Sequence, residues 1–213
     1  MYFFLSQASY QELWKWSVDN ISRFWAIFLE YSKIIYRGSY ERVKLNPYQV
    51  IDESVPMDEI PRWFEGVHLN YAENLLHRNV DSLALICENE LRQSKTFTHH
   101  ELYLEVSKLA YCFKNFGLNE NDIVACLIGL ISAALPSNNT SVVAMLACSA
   151  LGSTWTAIPI ELKARVEMFL IKGILQKLVG IKPRILLATD QCFYEGKVEN
   201  QIQKLKEIVQ SFP

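Results

Sequence analysis

The 213 residues contain no GxGxxG, no GxxxxGK[ST], no GxSxG and no HExxH. By motif the chain therefore lacks a dinucleotide-binding turn, a P-loop, a nucleophile elbow and a zincin helix. It has no CxxC pair, which argues against zinc. Its five cysteines, Cys87, Cys112, Cys126, Cys148 and Cys192, are scattered and odd in number. That suits free thiols in a reducing compartment better than a disulfide framework. Cys112, Cys126 and Cys148 have apolar sequence neighbours and are expected to be buried. There is no long basic run and the net charge is −2, a balance that argues against nucleic acid as a partner. Met1 to Leu5 is apolar but too short for a signal peptide, and it has no basic start. No internal repeat and no low-complexity linker interrupts the chain.

The most informative absence is internal. From Ile123 to Ile160 no charged residue occurs, although charged residues make up 21% of the chain. Ile123–Ile128 is a short apolar run of the kind a strand buried on both faces shows. Pro136, Ser137, Asn138 and Asn139 form a turn cluster. Ser141–Leu151, rich in Ala, Leu and Met and followed by Gly152, predicts a buried helix with a glycine stop. Ser153–Ile158 then reads as a second strand. Strand, helix and strand with both strands apolar is a βαβ unit of a parallel sheet. The alternative is a membrane hairpin, because Ser141–Ile160 is long enough to span a bilayer. Ser149, Ser153, Thr154, Thr156 and the break at Gly152 weigh against it. So does the lack of flanking aromatic or basic anchors. Half the residues are hydrophobic, enough for a sizeable core.

Around this unit the pattern alternates. Gln11–Trp16 predicts a short helix, and Ser17 the cap of a second one running to Ile35. Ile21, Phe24, Trp25, Phe28 and Tyr31 lie on one face of that second helix, which is expected to pack on the sheet; a partner-binding surface is the alternative. Tyr36–Pro61 is extended and turn-rich. Asn70, with Glu73 three residues on, predicts a helix start, as does Thr98 with Glu101. His68 reads as structural. His99 and His100 are adjacent on a helix, about 100° apart, which makes them a poor metal pair and surface residues. Leu83–Cys87 and Ser94–Phe97 read as strands. Leu102, Val106, Leu109, Ala110 and Phe113 mark the buried face of the helix that follows, ended by Gly117. Glu161–Leu178 is helical and stopped by Gly180 and Pro183. Arg184–Thr189 is a strand, Tyr194–Lys197 a loop, and Val198–Phe212 an amphipathic helix. Helices alternating with strands point to a doubly wound, mostly parallel sheet.

Several stretches also resemble a known family. Trp14–Asn20 (WKWSVDN), with Phe24 and Trp25 following, resembles the N-terminal cap of acetyl- and acetoacetyl-CoA synthetases. Trp63–Gly66 (WFEG) and Leu69–Leu76 (LNYAENLL) resemble the acetoacetyl-CoA synthetases in particular. Thr96–Leu102, Asp122–Ala125, Ala144–Gly152, Ile181–Leu186 and Tyr194–Lys197 continue the match in the same order. The family belongs to the adenylate-forming, AMP-binding superfamily. The resemblance implies an α/β fold. A helical cap over residues 1–69 would precede an incomplete N-terminal part of the AMP-binding domain over residues 70–213.

It also implies an acetoacetate–CoA ligase of the cytosol, in ketone-body and lipid metabolism. Such an enzyme takes acetoacetate, ATP, Mg²⁺ and CoA, with no membrane and no nucleic acid as partner. The loop matching Tyr194, Glu195, Gly196 and Lys197 lies near the CoA phosphates in the family. No catalytic residue and no metal ligand is expected in this chain. The family's Ser/Thr/Gly-rich phosphate loop, its ribose-binding aspartate and its C-terminal lysine find no match. After Thr156, where the family has a Ser-Pro-Asp-Phe-Gly-like turn, stands Ala157–Lys163 (AIPIELK), and Leu130–Thr140 departs from the family's strand-to-helix loop. A truncated portion, inactive alone, is the expectation; a non-catalytic interaction module is the alternative.

Overall fold

A computed structural model describes residues 9–39, 50–52, 54–77, 80–88, 92–129, 139–160, 167–194 and 197–211. The chain divides into two compact units, Met1–Asn70 and Tyr71–Pro213.

In the first unit, α1 (Tyr10–Asp19) starts after Ser9, whose extended backbone lets Oγ accept the Glu12 N–H at 3.3 Å. Then follows α2 (Ile21–Ser32). Ser17 is not a cap. It lies inside α1 and its hydroxyl donates to the Trp14 carbonyl at 2.7 Å, so the break falls at Asn20 instead. The buried stripe of α2 is Ser22, Ala26 and Leu29 rather than the aromatic face. Val50 and Ile51 are buried too, and the Ile51 N–H donates to Ser22 Oγ at 3.3 Å. A two-residue strand β1 (Arg37–Gly38) pairs antiparallel with β2 (Val67–His68). Gly38 has φ +86°, and a Cβ there would run into the Gly66 carbonyl, so this crossing requires glycine.

The second unit opens with α3 (Tyr71–Leu76), which begins where Asn70 predicts. Next come the antiparallel strands β3 (Leu83–Glu88) and β4 (Ser94–Thr98). Thr98 caps α4 (His99–Asn115) with both bonds of the capping box formed. Gly117, at φ +76°, takes the left-handed turn past the end of α4. The uncharged stretch is a βαβ unit, with β5 (Ile123–Gly129), α5 (Thr140–Ala150) and β6 (Thr154–Ile160). The turn residues Pro136–Asn138 lie outside the described residues. α6 (Glu167–Ile181) leads to β7 (Ile185–Ala188). Residues 161–166, expected in that helix, lie outside the description. α6 runs through Gly180 and ends at Ile181; Lys182 follows with φ +48°, and its N–H donates to the Leu178 carbonyl at 2.8 Å.

β5 pairs parallel with both β6 and β7, giving the order β6-β5-β7. Pro159 stands opposite Ile128 on β6, which is an outer strand of the sheet among the described residues, the kind of position where proline is tolerated. The pleat sorts the strand residues onto two faces. Val124 joins Leu102, Val106 and Phe113 of α4 and Val143, Leu146 and Ala147 of α5 in one core. Ala125 and Leu127 join Ile158, Ile174 and Leu178 in the other, with Ile208 from the last helix. Helices thus cover both faces, the doubly wound arrangement expected from the sequence. Leu127, Leu146 and Leu178 are almost fully buried, and each stabilises the fold by about 1.5–3 kcal/mol through removal from water. Among the described residues no helix is long and apolar enough to cross a membrane.

Candidate functional site

The three parallel strands end at Gly129, Ile160 and Ala188. In open α/β sheets ligands bind outside these carboxyl ends. The chain leaving β7 goes directly into an antiparallel pair, β8 (Gln191–Tyr194) and β9 (Lys197–Asn200). Tyr194 stands opposite Lys197 in the register. Both flank the expected loop instead of lying in it, because the ladder continues up to them. Glu195 and Gly196 lie outside the described residues.

The base of this hairpin is fixed. The Gln201 N–H donates to the Asp190 carbonyl at 2.7 Å, one step below the Gln191–Asn200 pair. The Ile202 N–H donates to Asn200 Oδ1 at 2.9 Å and starts α7 (Ile202–Ser211). Val198 is therefore in β9, and the last helix begins four positions later than its periodicity predicts. Gln201 is buried and Ile208 anchors α7 in the core. Tyr194 and Lys197 are held about 10 Å out from this clamped base, by the rise of three strand residues. A lysine at the end of such an arm supplies a point charge of the kind phosphates attract.

Among the described residues the other titratable groups form no second site. His68 is in β2. His99 is half-buried rather than solvated, with Nδ1 out of reach of water and of any hydrogen-bond partner. His100 is exposed. Among the described residues no three His, Cys, Asp or Glu side chains come together as a metal site. Cys112 is exposed, contrary to the expectation of burial, because position 112 falls outside the stripe of Leu102, Val106 and Phe113. Cys148 is fully buried on α5; burial pushes its thiol up to about 11 against an ordinary 9.0, despite a hydrogen bond with Ser153. Burial raises Cys126 as well. Such thiols are protonated and inert at neutral pH.

In the N-terminal unit the aromatic face of α2 is half exposed. Trp25 meets Trp63 edge-to-face at 5.6 Å and 88°, and Phe28 at 5.5 Å and 84°. These rings, with Leu29, Ile34, Phe64, Val67 and Leu69, line an apolar cleft of about 270 Å³. The helical periodicity that marks the face does not reveal the cleft, because its far wall comes from residues more than thirty positions away.

Comparison with known proteins adds a frame for this geometry. Residues 10–75 match the family model described as acetyl-coenzyme A synthetase N-terminus. An acetoacetyl-CoA synthetase of Xenopus tropicalis is 33% identical over 211 residues, which are 98% of this chain and 28% of that protein. A malonamoyl-CoA synthetase of Penicillium aethiopicum is 29% identical over 214 residues, 98% of this chain and 27% of that protein. The solved acetoacetyl-CoA synthetase from Streptomyces lividans superposes with a TM-score of 0.76 at 25% identity, covering 98% of this chain and 29% of that one. The chain thus spans less than a third of the length of the relatives it matches. The resemblance read from Trp14 to Lys197 is borne out over nearly all of the chain.

Proposed function

Because the chain matches the N-terminal portion of the acetoacetyl-CoA synthetases from end to end, we propose that it serves as that portion of an acetoacetate–CoA ligase. The single observation that carries this reading is the co-linear match over 98% of the chain in both sequence and fold. Residues 1–69 act as the family's cap, and residues 70–213 contribute the first part of the AMP-binding domain. The match of residues 10–75 and the division after Asn70 support these boundaries.

In the complete reaction the acetoacetate carboxylate attacks the α-phosphorus of ATP and pyrophosphate leaves. The CoA thiolate then attacks the acyl carbon and AMP leaves. Among the described residues no three His, Cys, Asp or Glu side chains come together to hold the Mg²⁺ that accompanies ATP. The role of this chain is structural support for the sheet and one contact to CoA. Lys197, with Tyr194, Glu195 and Gly196, meets the CoA phosphates at the tip of the β8–β9 hairpin. The position beyond the carboxyl end of β7 supports that contact. The reaction takes place in the cytosol, as part of ketone-body and lipid metabolism.

Malonamate is the second substrate to consider, from the Penicillium relative. Like acetoacetate it is a short acid with a carbonyl β to the carboxylate. The test is calorimetric titration of the chain with CoA and with dephospho-CoA. Binding in the millimolar range, about −4 kcal/mol, is expected for CoA. It should weaken when the 3′-phosphate is missing and disappear in Lys197→Ala. Equal binding of both ligands by wild type and variant would refute the contact.

A further inference from the structure

We draw no further inference here: the strongest candidate, the apolar cleft that Trp25, Phe28, Ile34, Trp63 and Leu69 line in the N-terminal unit, carries nothing because no observation in the structure shows what covers it.

Discussion

Thr98 and Glu101 satisfy each other's backbone. The Glu101 N–H donates to Thr98 Oγ1 at 3.1 Å, and the Thr98 N–H donates to Glu101 Oε2 at 2.8 Å. Two donors that the helix start leaves without carbonyl partners are thereby paired. The pair also sets where β4 stops and α4 begins, because Thr98 belongs to the strand and His99 to the helix.

Thr98→Ala is expected to cost about 1 kcal/mol, the usual cost of a lost cap. Glu101→Ala removes only the return bond and should cost less. The double variant should cost less than the sum, since the two bonds share one turn. Urea denaturation of all four proteins, with equal m-values, measures this. Strict additivity would show that the two bonds act independently.

The buried side of α5 gives a second prediction. Leu146 is 2% exposed and sits between Val124 and α4, whereas Met145 is only half-buried at the rim of the same core. Leu146→Ala should cost about 2–5 kcal/mol through lost burial and the cavity left behind. Met145→Ala should cost clearly less. Met145→Asp is expected to be worse than Met145→Ala, because a charge at the rim is partly desolvated. Thermal unfolding that ranks Met145→Ala as the more damaging alanine variant would contradict the packing.

How much of this was legible depends on the range of the interactions. The βαβ unit was visible because burial on both faces removes charge from a continuous run, and Ile123–Ile160 carries none. The capping box was visible because its two partners are three residues apart. The face of α2 is a counterexample: aromatic periodicity predicts packing of Ile21, Phe24, Trp25, Phe28 and Tyr31. Burial goes instead to Ser22, Ala26 and Leu29, and Ser22 Oγ accepts the Ile51 N–H, a partner 29 positions away that helical periodicity cannot show. The start of α7 was misplaced because Val198 matches both a helical period of 3.6 and a strand period of 2. Only its partner Phe193 decides between them. The candidate site was legible only through resemblance, since a lysine beside a glycine has no spacing of its own.

The thiols predict an alkaline response. Cys148 titrates near 11 in the folded chain and near 9.0 when unfolded. Between those values the unfolded state has lost a proton that the folded state keeps, so stability falls as pH rises. It is fully present below pH 9.0 and declines by up to about 1.4 kcal/mol per pH unit above it. Cys148→Ala should flatten this slope, although it lowers stability at neutral pH. The exposed Cys112 should react with a thiol reagent in the native protein, and Cys148 only on unfolding. A Cys148 thiol that labels as fast as Cys112 in native buffer would contradict the burial.

The last prediction concerns turnover. A polypeptide of these 213 residues alone is expected not to form acetoacetyl-CoA. The first half-reaction builds charge around the β- and γ-phosphates, and its stabilisation requires donors fixed in advance around that charge. Backbone N–H groups of a glycine-rich loop and a lysine are the usual supply, and no such loop occurs in the sequence. Holding acid, nucleotide and thiol in reacting geometry is worth about 7–11 kcal/mol for such bimolecular steps. On the proposed reading, the hairpin that pairs Tyr194 with Lys197 would supply one contact to one of those three reactants. The measurement is pyrophosphate release from ATP and Mg²⁺ with acetoacetate, malonamate or acetate, in the presence of CoA. Background rates with every acid, together with millimolar CoA binding that Lys197→Ala removes, are the expected pair of results. Sustained pyrophosphate release that survives removal of contaminating ligase, and that Lys197→Ala slows, would mean otherwise. The phosphate site would then be built from residues placed here in the two cores or outside the described residues.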